Sequence, residues 1–247
     1  MYNFVFHMPA KVLFGPGKLQ TLHEETLPGK KALIVTTNGT SVKKYGYLAS
    51  LEKELDLAGV GHELFDQIRP NPTSDNVMDG AALGKKTGCD FVVALGGGSV
   101  MDCCKAVSMA ARYDGDLWAD YWARPGVVDF EPVPLGMIVT VSGTGSEMNG
   151  GAVITNEELK IKTGRDYPKC NARFALMDPT YTFSVPKMQM ISGGFDTLSH
   201  IMEIYFSEPD EPNVSDDIAE ALMRGVVRDL RAAVQKPEDY TARSNLM

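Results

Sequence analysis

The sequence predicts an α/β fold, in which a parallel sheet covered by helices is followed by helices alone. Between residues 31 and 113, apolar segments typical of buried strands alternate with segments of helical periodicity. From Lys187 onward only helical patterns remain. The 247 residues are 44% hydrophobic and 23% charged, values usual for a globular chain, so disorder as the main state is excluded. We expect the boundary between the two parts near residues 180–185.

Each element of the predicted sheet and its covering helices has a local signature. The run Ala-Leu-Ile-Val within residues 31–36 is typical of a buried strand, and leucines at helical spacing then predict a helix from Ser41 to Gly59. The remaining predicted elements are a short strand at 61–65, a helix capped by Thr73 or Ser74 and ending near Gly88, strands at 91–95 and 135–141, and a helix at 193–206 after a glycine pair.

Charge, cysteine content and hydropathy limit which binding partners and which cellular compartment we expect for this protein. The net charge is −8, and nucleic acid is therefore an unexpected partner, because binding it requires a basic surface. The four cysteines, with Cys103 and Cys104 adjacent, do not resemble a disulfide framework and favour a reducing cytoplasm. The longest apolar stretch, around Val133 to Val141, falls well short of the ~20 residues that span a bilayer. We therefore expect a cytoplasmic protein that binds neither nucleic acid nor membrane.

Two glycine-rich segments follow predicted strands and are the first chemical signals. The strand at 91–95 leads into three glycines, Gly96–Gly98, and then a helix that we expect to start at Ser99, an arrangement that directs backbone N–H groups at an anion such as phosphate. The alternative is a tight turn without a ligand. Ser99 and Asp102 have the spacing of a capping box, which gives Asp102 a structural role. The second segment, Thr140–Glu147, lies where open α/β sheets bind ligands, although an ordinary polar loop would have the same composition.

Asp196 and His200 are the third signal. They are four residues apart in the predicted helix at 193–206, so their side chains project from one helix face. Such a pair can hold a divalent metal ion. The alternative is a hydrogen bond between the two side chains on the helix surface, and the spacing alone favours that alternative.

Taken together, these segments resemble the iron-containing (group III) alcohol dehydrogenases. Gly96–Asp102, Thr140–Glu147 and Gly194–Glu203 occur in the order typical of that family, and Asn71 between two prolines and Met177–Pro179 fit the same pattern. The resemblance covers essentially the whole chain and is strongest to the branch of NADPH-dependent butanol dehydrogenases and aldehyde reductases. It implies an α/β dinucleotide-binding domain at 1–183 and the start of an all-helical metal-binding domain at 184–247.

The resemblance also implies a reaction and a set of site residues. The reaction would be hydride transfer between a nicotinamide cofactor and a primary alcohol or aldehyde, with Fe²⁺ or Zn²⁺ as the Lewis acid. By position, Gly97, Gly98 and Ser99 would hold the pyrophosphate, and Asp196 and His200 would be metal ligands. The residues lining the cofactor would be Asn71, Asp102, Thr140, Thr144 and Lys162.

The turn that follows the predicted strand at 31–36 bears on whether the cofactor is NAD or NADP. Residues 37–41 contain no Asp or Glu, the residue type that binds the ribose 2′-hydroxyl of NAD. Lys43 and Lys44 lie nearby and could favour the 2′-phosphate of NADP, although lysines are also usual on a solvated helix face. The sequence therefore favours NADP over NAD.

The histidine content departs from the family pattern, which has two further histidine ligands after the Asp–His pair. The histidines of this chain are His7, His23, His62 and His200. We therefore expect an N-terminal portion of a longer protein that by itself binds metal poorly and turns over slowly. A noncatalytic dinucleotide-binding module that has lost its metal is the alternative function. Metal-dependent elimination, as in dehydroquinate synthase, is less favoured because no basic cluster for a phosphorylated acid is evident.

The oligomeric state is predicted from the N-terminus. Alternating apolar residues predict two short strands, one with Phe4 and Phe6 and one with Val12 and Phe14. Exposed strands of this kind can pair across a two-fold axis, so we expect a homodimer.

Overall fold

A six-stranded parallel sheet organises the first part of the chain, and its strands lie side by side in the order 11–14, 174–177, 135–139, 91–96, 31–37 and 61–68. The computed structural model describes Asn3, Val5, residues 7–208 and residues 213–247. The strands of this sheet are β1 (Lys11–Phe14), β2 (Lys31–Thr37), β3 (Gly61–Ile68), β4 (Phe91–Gly96), β5 (Leu135–Val139) and β8 (Phe174–Met177). The predicted α/β class with a parallel sheet is confirmed.

The central strands are buried on both faces, which explains their continuous apolar sequences. All six residues of β4 and all five of β5 are buried. The helices of this part are α1 (Ser41–Lys44), α2 (Tyr47–Leu57), α3 (Ser74–Thr87) and α4 (Gly98–Ala110). Thr73 caps α3, since its side chain accepts a hydrogen bond from the Asn76 N–H at 3.1 Å. Gly88, with φ of 73°, ends α3 as predicted.

In this part of the chain, two predicted elements need correction and one further element was not predicted. The helix predicted from Ser41 to Gly59 is interrupted, because Gly46 takes a left-handed conformation (φ 74°) between α1 and α2. The strand predicted at 135–141 ends at Val139. A two-stranded antiparallel sheet, formed by β6 (Gly151–Asn156) and β7 (Ile161–Asp166), was not expected.

The N-terminal strand prediction is confirmed only for its second half. β1 contains Val12 and Phe14, pairs in parallel with β8 and forms one edge of the sheet. Phe4 and Phe6 lie outside the described residues.

The chain divides into two compact units. The sheet unit comprises residues 9–139 and 146–178, and the helical unit comprises residues 1–8, 140–145 and 179–247. The helical unit contains α5 (Lys187–Tyr205), α6 (Val214–Gln235) and α7 (Tyr240–Leu246). The boundary predicted between residues 183 and 184 stays a prediction. Within the ranges that the structure describes, no helix combines the length and the apolar character needed to cross a membrane.

The helix predicted at 193–206 is confirmed in type but not in its start. α5 begins at Lys187, so Gly193 and Gly194 lie inside the helix and do not precede it. A Cβ on Gly193 would lie 2.5 Å from the carbonyl oxygen of Ser142, and one on Gly194 would lie 2.7 Å from the Leu230 side chain. The pair therefore permits close packing of α5 within the helical unit.

Candidate functional site

The glycine turn lies between β4 and α4, as the sequence predicts. α4 begins at Gly98, one residue earlier than expected, and Gly97 is its N-cap residue without a side-chain hydrogen bond. Because a glycine occupies the N-cap position, no side chain of that residue covers the helix start, and the helix dipole favours an anion at this end. A Cβ on Gly96 would lie 2.6 Å from a methyl group of Val100, so the first glycine is also needed for packing. A strand, a glycine turn and a helix start thus follow one another as the phosphate prediction requires, and the assignment of a phosphate to this turn stays a prediction.

The capping box predicted for Ser99 and Asp102 is wrong. The N-cap position belongs to Gly97, so Ser99 lies within the first turn of α4 and cannot form the motif. Asp102 instead binds the segment that follows residue 145. Its Oδ1 accepts a hydrogen bond from the Ser146 hydroxyl at 2.6 Å, and its Oδ2 accepts one from the Val153 N–H at 2.9 Å.

Asn71 and Lys162, both expected near the cofactor, are brought together. The Nζ of Lys162 on β7 donates to the Oδ1 of Asn71 at 2.7 Å. Asn71 has a φ of 59°, a conformation that asparagine tolerates better than most residues. Beside this contact, the Thr155 N–H donates to the carbonyl oxygen of Pro72 at 2.9 Å. The hairpin of β6 and β7 is thereby attached to the turn that precedes α3.

Thr140 and Thr144 belong to the helical unit, in which the segment 140–145 contacts α5. Thr140 is buried and Thr144 is exposed. The hydroxyl oxygen of Thr197 lies within hydrogen-bond distance of two carbonyl oxygens, those of Gly143 (3.2 Å) and Gly193 (3.0 Å), which share its one hydrogen. Both threonines thus belong to the same compact unit as Asp196 and His200, and their contact with the cofactor stays a prediction.

Asp196 and His200 lie on one face of α5, as their spacing predicts. The His200 Nε2 and Asp196 Oδ2 atoms are 3.8 Å apart, and the side chains are 56% and 46% exposed, so both have free surface for a ligand. An imidazole and a carboxylate suit a divalent transition metal. Among the described residues, no group of three or more His, Cys, Asp or Glu side chains could enclose a metal ion. The pair therefore fits a metal as a partial ligand set.

Lys105 is the residue that the sequence reasoning missed. It lies in the middle of α4, is fully buried, and donates from Nζ to the Ser146 hydroxyl (2.8 Å), the Asn149 side-chain oxygen (3.0 Å) and the Gly151 carbonyl oxygen (2.6 Å). Burial lowers the pKa of Lys105 to about 8, and nearby Asp102 opposes that shift. The sequence does contain a signal, because Lys105 is the one charged residue in the stretch 103–107, which is otherwise apolar.

Comparison with known proteins identifies the family. The model of the iron-containing alcohol dehydrogenases matches residues 9–179, and that of the Fe-containing alcohol dehydrogenase family, C-terminal, matches residues 190–247. A probable NADH-dependent butanol dehydrogenase of Bacillus subtilis is 37% identical over 100% of this chain and 63% of that protein. An NADPH-dependent aldehyde reductase of Escherichia coli is 33% identical over the same shares.

Solved structures agree with the sequence comparisons. The crystal structure of NADH-dependent butanol dehydrogenase A from Thermotoga maritima superposes with a TM-score of 0.94 at 36% identity, over 100% of this chain and 61% of that one. The chain thus spans about 63% of the length of the curated relatives that it matches. Matching family models cover both units, and the glycine turn and the Asp–His pair lie within the matched residues, so this chain belongs to the iron-containing alcohol dehydrogenase family.

Proposed function

We propose that this protein is a metal-dependent oxidoreductase that interconverts primary alcohols and aldehydes by hydride transfer with a nicotinamide dinucleotide. The observation that carries the proposal is the glycine turn between β4 and α4, which places a glycine at the N-cap and backbone N–H groups at the helix start. Membership of the iron-containing alcohol dehydrogenase family supports it. The matched relatives include proteins named as butanol dehydrogenases and an aldehyde reductase, which supports short alcohols and aldehydes as substrates.

The sheet unit would bind the dinucleotide. Backbone N–H groups of Gly97, Gly98 and Ser99 would hold the pyrophosphate at the N-terminus of α4. Lys162, held by Asn71 at 2.7 Å, retains further N–H groups with which to bind the cofactor. When bound, the dinucleotide supplies the hydride. The protein residues orient it, and Asp102 would contribute a carboxylate of fixed orientation.

The helical unit would hold the metal through Asp196 and His200. The two side chains are within 4 Å of each other and about half exposed, and they suit either Fe²⁺ or Zn²⁺. When bound, such an ion supplies a Lewis acid.

NADP is the cofactor that we propose over NAD. The turn at 37–41 contains no acid that would repel a 2′-phosphate. Lys43 is paired with Asp66 (Nζ–Oδ2 2.5 Å), which leaves Lys44 as the better candidate cation. The relatives include proteins named for either cofactor, so dissociation constants for NADPH and NADH must be compared directly. Clearly tighter binding of NADH would contradict this preference.

The proposed activity is tested by NADPH and NADH oxidation with butanal in the presence of Fe²⁺ or Zn²⁺. In parallel, Lys162→Met should raise the cofactor dissociation constant about tenfold, because a charge-assisted hydrogen-bonding group is lost. Lys160→Met is the matched control, since it removes the same charge from the same hairpin at an exposed position. Cofactor binding without turnover under any metal would favour the noncatalytic binding module. Absence of binding would refute the proposal.

We further propose a homodimer in the cytoplasm. β1 is an edge strand, and its Val12 and Phe14 side chains are 41% and 43% exposed, so a second copy could cover them. Light scattering of the purified chain measures the mass and tests this proposal. A monomeric mass at micromolar concentration would contradict it.

A further inference from the structure

Lys105 carries a buried charge that packing alone does not require. Its side chain has no exposed surface, and all three N–H groups of its ammonium have acceptors within 3.0 Å. Replacing a buried ionic group by an apolar residue of similar volume is often neutral or stabilising. Three acceptors around one nitrogen match the protonated amine, which has three donors. The arrangement therefore maintains a buried cation, and its neighbours indicate what that cation does.

Ser146 connects this cation to Asp102. Its hydroxyl accepts from Lys105 Nζ at 2.8 Å and donates to Asp102 Oδ1 at 2.6 Å. Because a hydroxyl has one hydrogen, accepting from the ammonium leaves that hydrogen to point at the carboxylate. The chain of bonds is polarised in one direction, from cation through hydroxyl to anion, and each bond strengthens the next.

The second carboxylate oxygen of Asp102 is held independently. Its Oδ2 accepts from the Val153 N–H at 2.9 Å, so both oxygens are fixed from the segment 146–153. Asp102 is partly exposed, whereas Lys105 is fully buried and three residues further along the same helix. Lys105 therefore cannot contact a ligand that binds at the protein surface, but it can determine the orientation of the Asp102 carboxylate, which can.

We infer that Lys105 is a positioning residue that acts through Ser146 to fix the orientation of the Asp102 carboxylate for the nicotinamide dinucleotide. This inference rests on the proposed function, in which Asp102 lines the cofactor. It assigns to the buried network a role in cofactor affinity that is separate from its role in holding α4 to the segment 146–153.

The test measures the dissociation constants of NADPH and NADH by fluorescence titration for Ser146→Ala, Asp102→Asn and the double variant. Ser146→Ala breaks the bridge but leaves Lys105 with Asn149 and Gly151 as acceptors. We expect it to weaken binding of the preferred cofactor about tenfold, the cost of one hydrogen bond to a charged group. When Asp102 is already replaced by Asn, adding Ser146→Ala should change the cofactor dissociation constant less than about twofold, since Lys105 then has no carboxylate to orient.

Ser108→Ala is the matched control, because Ser108 lies on the same helix and its buried hydroxyl donates to the Val133 carbonyl oxygen at 2.6 Å. It should lower stability without changing cofactor affinity. If Ser146→Ala does not fold, Ser146→Thr and Ser146→Val replace it, the first keeping the hydroxyl and the second removing it at equal volume.

The outcomes separate this inference from the proposed function. Equal weakening by Ser146→Ala with and without the Asp102 carboxylate, or no weakening in a folded variant, overturns the positioning role while cofactor binding stands. A wild-type chain that binds neither NADPH nor NADH overturns the proposed function and the inference together.

Discussion

At Gly193, α5 approaches the segment 140–145 so closely that a side chain has no room. A Cβ there would lie 2.5 Å from the carbonyl oxygen of Ser142, and backbone cannot yield as a side chain can. Gly225 on α6 differs, because a Cβ there would have no described atom within 4 Å apart from the neighbouring backbone of its own helix. Packing therefore requires a glycine at position 193, whereas at position 225 only helix propensity affects which residue is favoured.

We expect Gly193→Ala to lower the free energy of unfolding by about 1–3 kcal/mol, since the added methyl group forces a backbone shift. Gly225→Ala should raise it by up to about 1 kcal/mol, because alanine is the better helix former and the site is open. Urea denaturation followed by circular dichroism measures both changes. Equal effects of the two substitutions would contradict the packing explanation.

Individual site residues were predictable to different degrees. The spacing of Asp196 and His200 fixes their shared helix face, because helical geometry is local. The contacts of Asp102 were not predictable, since its partners Ser146 and Val153 lie 44 and 51 residues away. The capping-box prediction failed because spacing alone does not show which residue begins the helix.

At the scale of elements, burial decides which strands the sequence reveals. β4 and β5 are buried on both faces and have continuous apolar sequences, so they are evident from the sequence. β7 is mostly exposed and reads Ile-Lys-Thr-Gly-Arg-Asp, which carries no apolar alternation. Its pairing with β6, and hence the approach of Lys162 to Asn71, depends on tertiary contacts that no local pattern encodes.

Helix α4 contains Lys105, and the burial of this lysine makes the stability of the folded protein depend on pH. Burial lowers the pKa of Lys105 from 10.5 to about 8 in the folded state. Between these values the unfolded chain binds a proton that the folded chain does not, so stability rises with pH across this window. Below pH 8 both states are protonated, and the burial penalty is constant.

We therefore expect the unfolding free energy of the wild type, relative to Lys105→Met, to increase by up to about 3 kcal/mol from pH 8 to pH 10.5. Other titrating groups cancel in this difference. The measurement is urea denaturation of both proteins at a series of pH values. A flat difference between the wild type and Lys105→Met across this pH range would refute the linkage.

For the whole molecule, the α/β class and the later helical part follow from the order of local patterns, but the strand order does not. β1 lies beside β8, with Lys11 paired to Phe174 and Val12 to Ala175, more than 160 residues apart in the chain. Such pairings depend on how the connecting segments cross the sheet. The glycine turn could be located in advance because it follows a buried strand directly, whereas the network behind it required the fold.

The proposed role of the helical unit can be tested by measuring the affinity of Asp196 and His200 for a metal ion. Asp196 and His200 supply two ligands, and the described residues contain no cluster of three, so Zn²⁺ should bind to the 247-residue chain more weakly than to a site with three protein ligands. We expect His200→Ala to weaken Zn²⁺ binding about tenfold or more in equilibrium dialysis, since half of this ligand pair is lost.

His62→Ala is the control for that measurement, because His62 is also paired with a carboxylate, Asp56, at 3.3 Å, but not on one helix face. It removes the same imidazole from another surface Asp–His pair and should leave Zn²⁺ binding unchanged. Equal weakening by both substitutions would show that surface imidazoles bind the ion without a specific site. Loss confined to His200→Ala would assign the ion to α5, because one helical turn there directs an imidazole and a carboxylate at the same point.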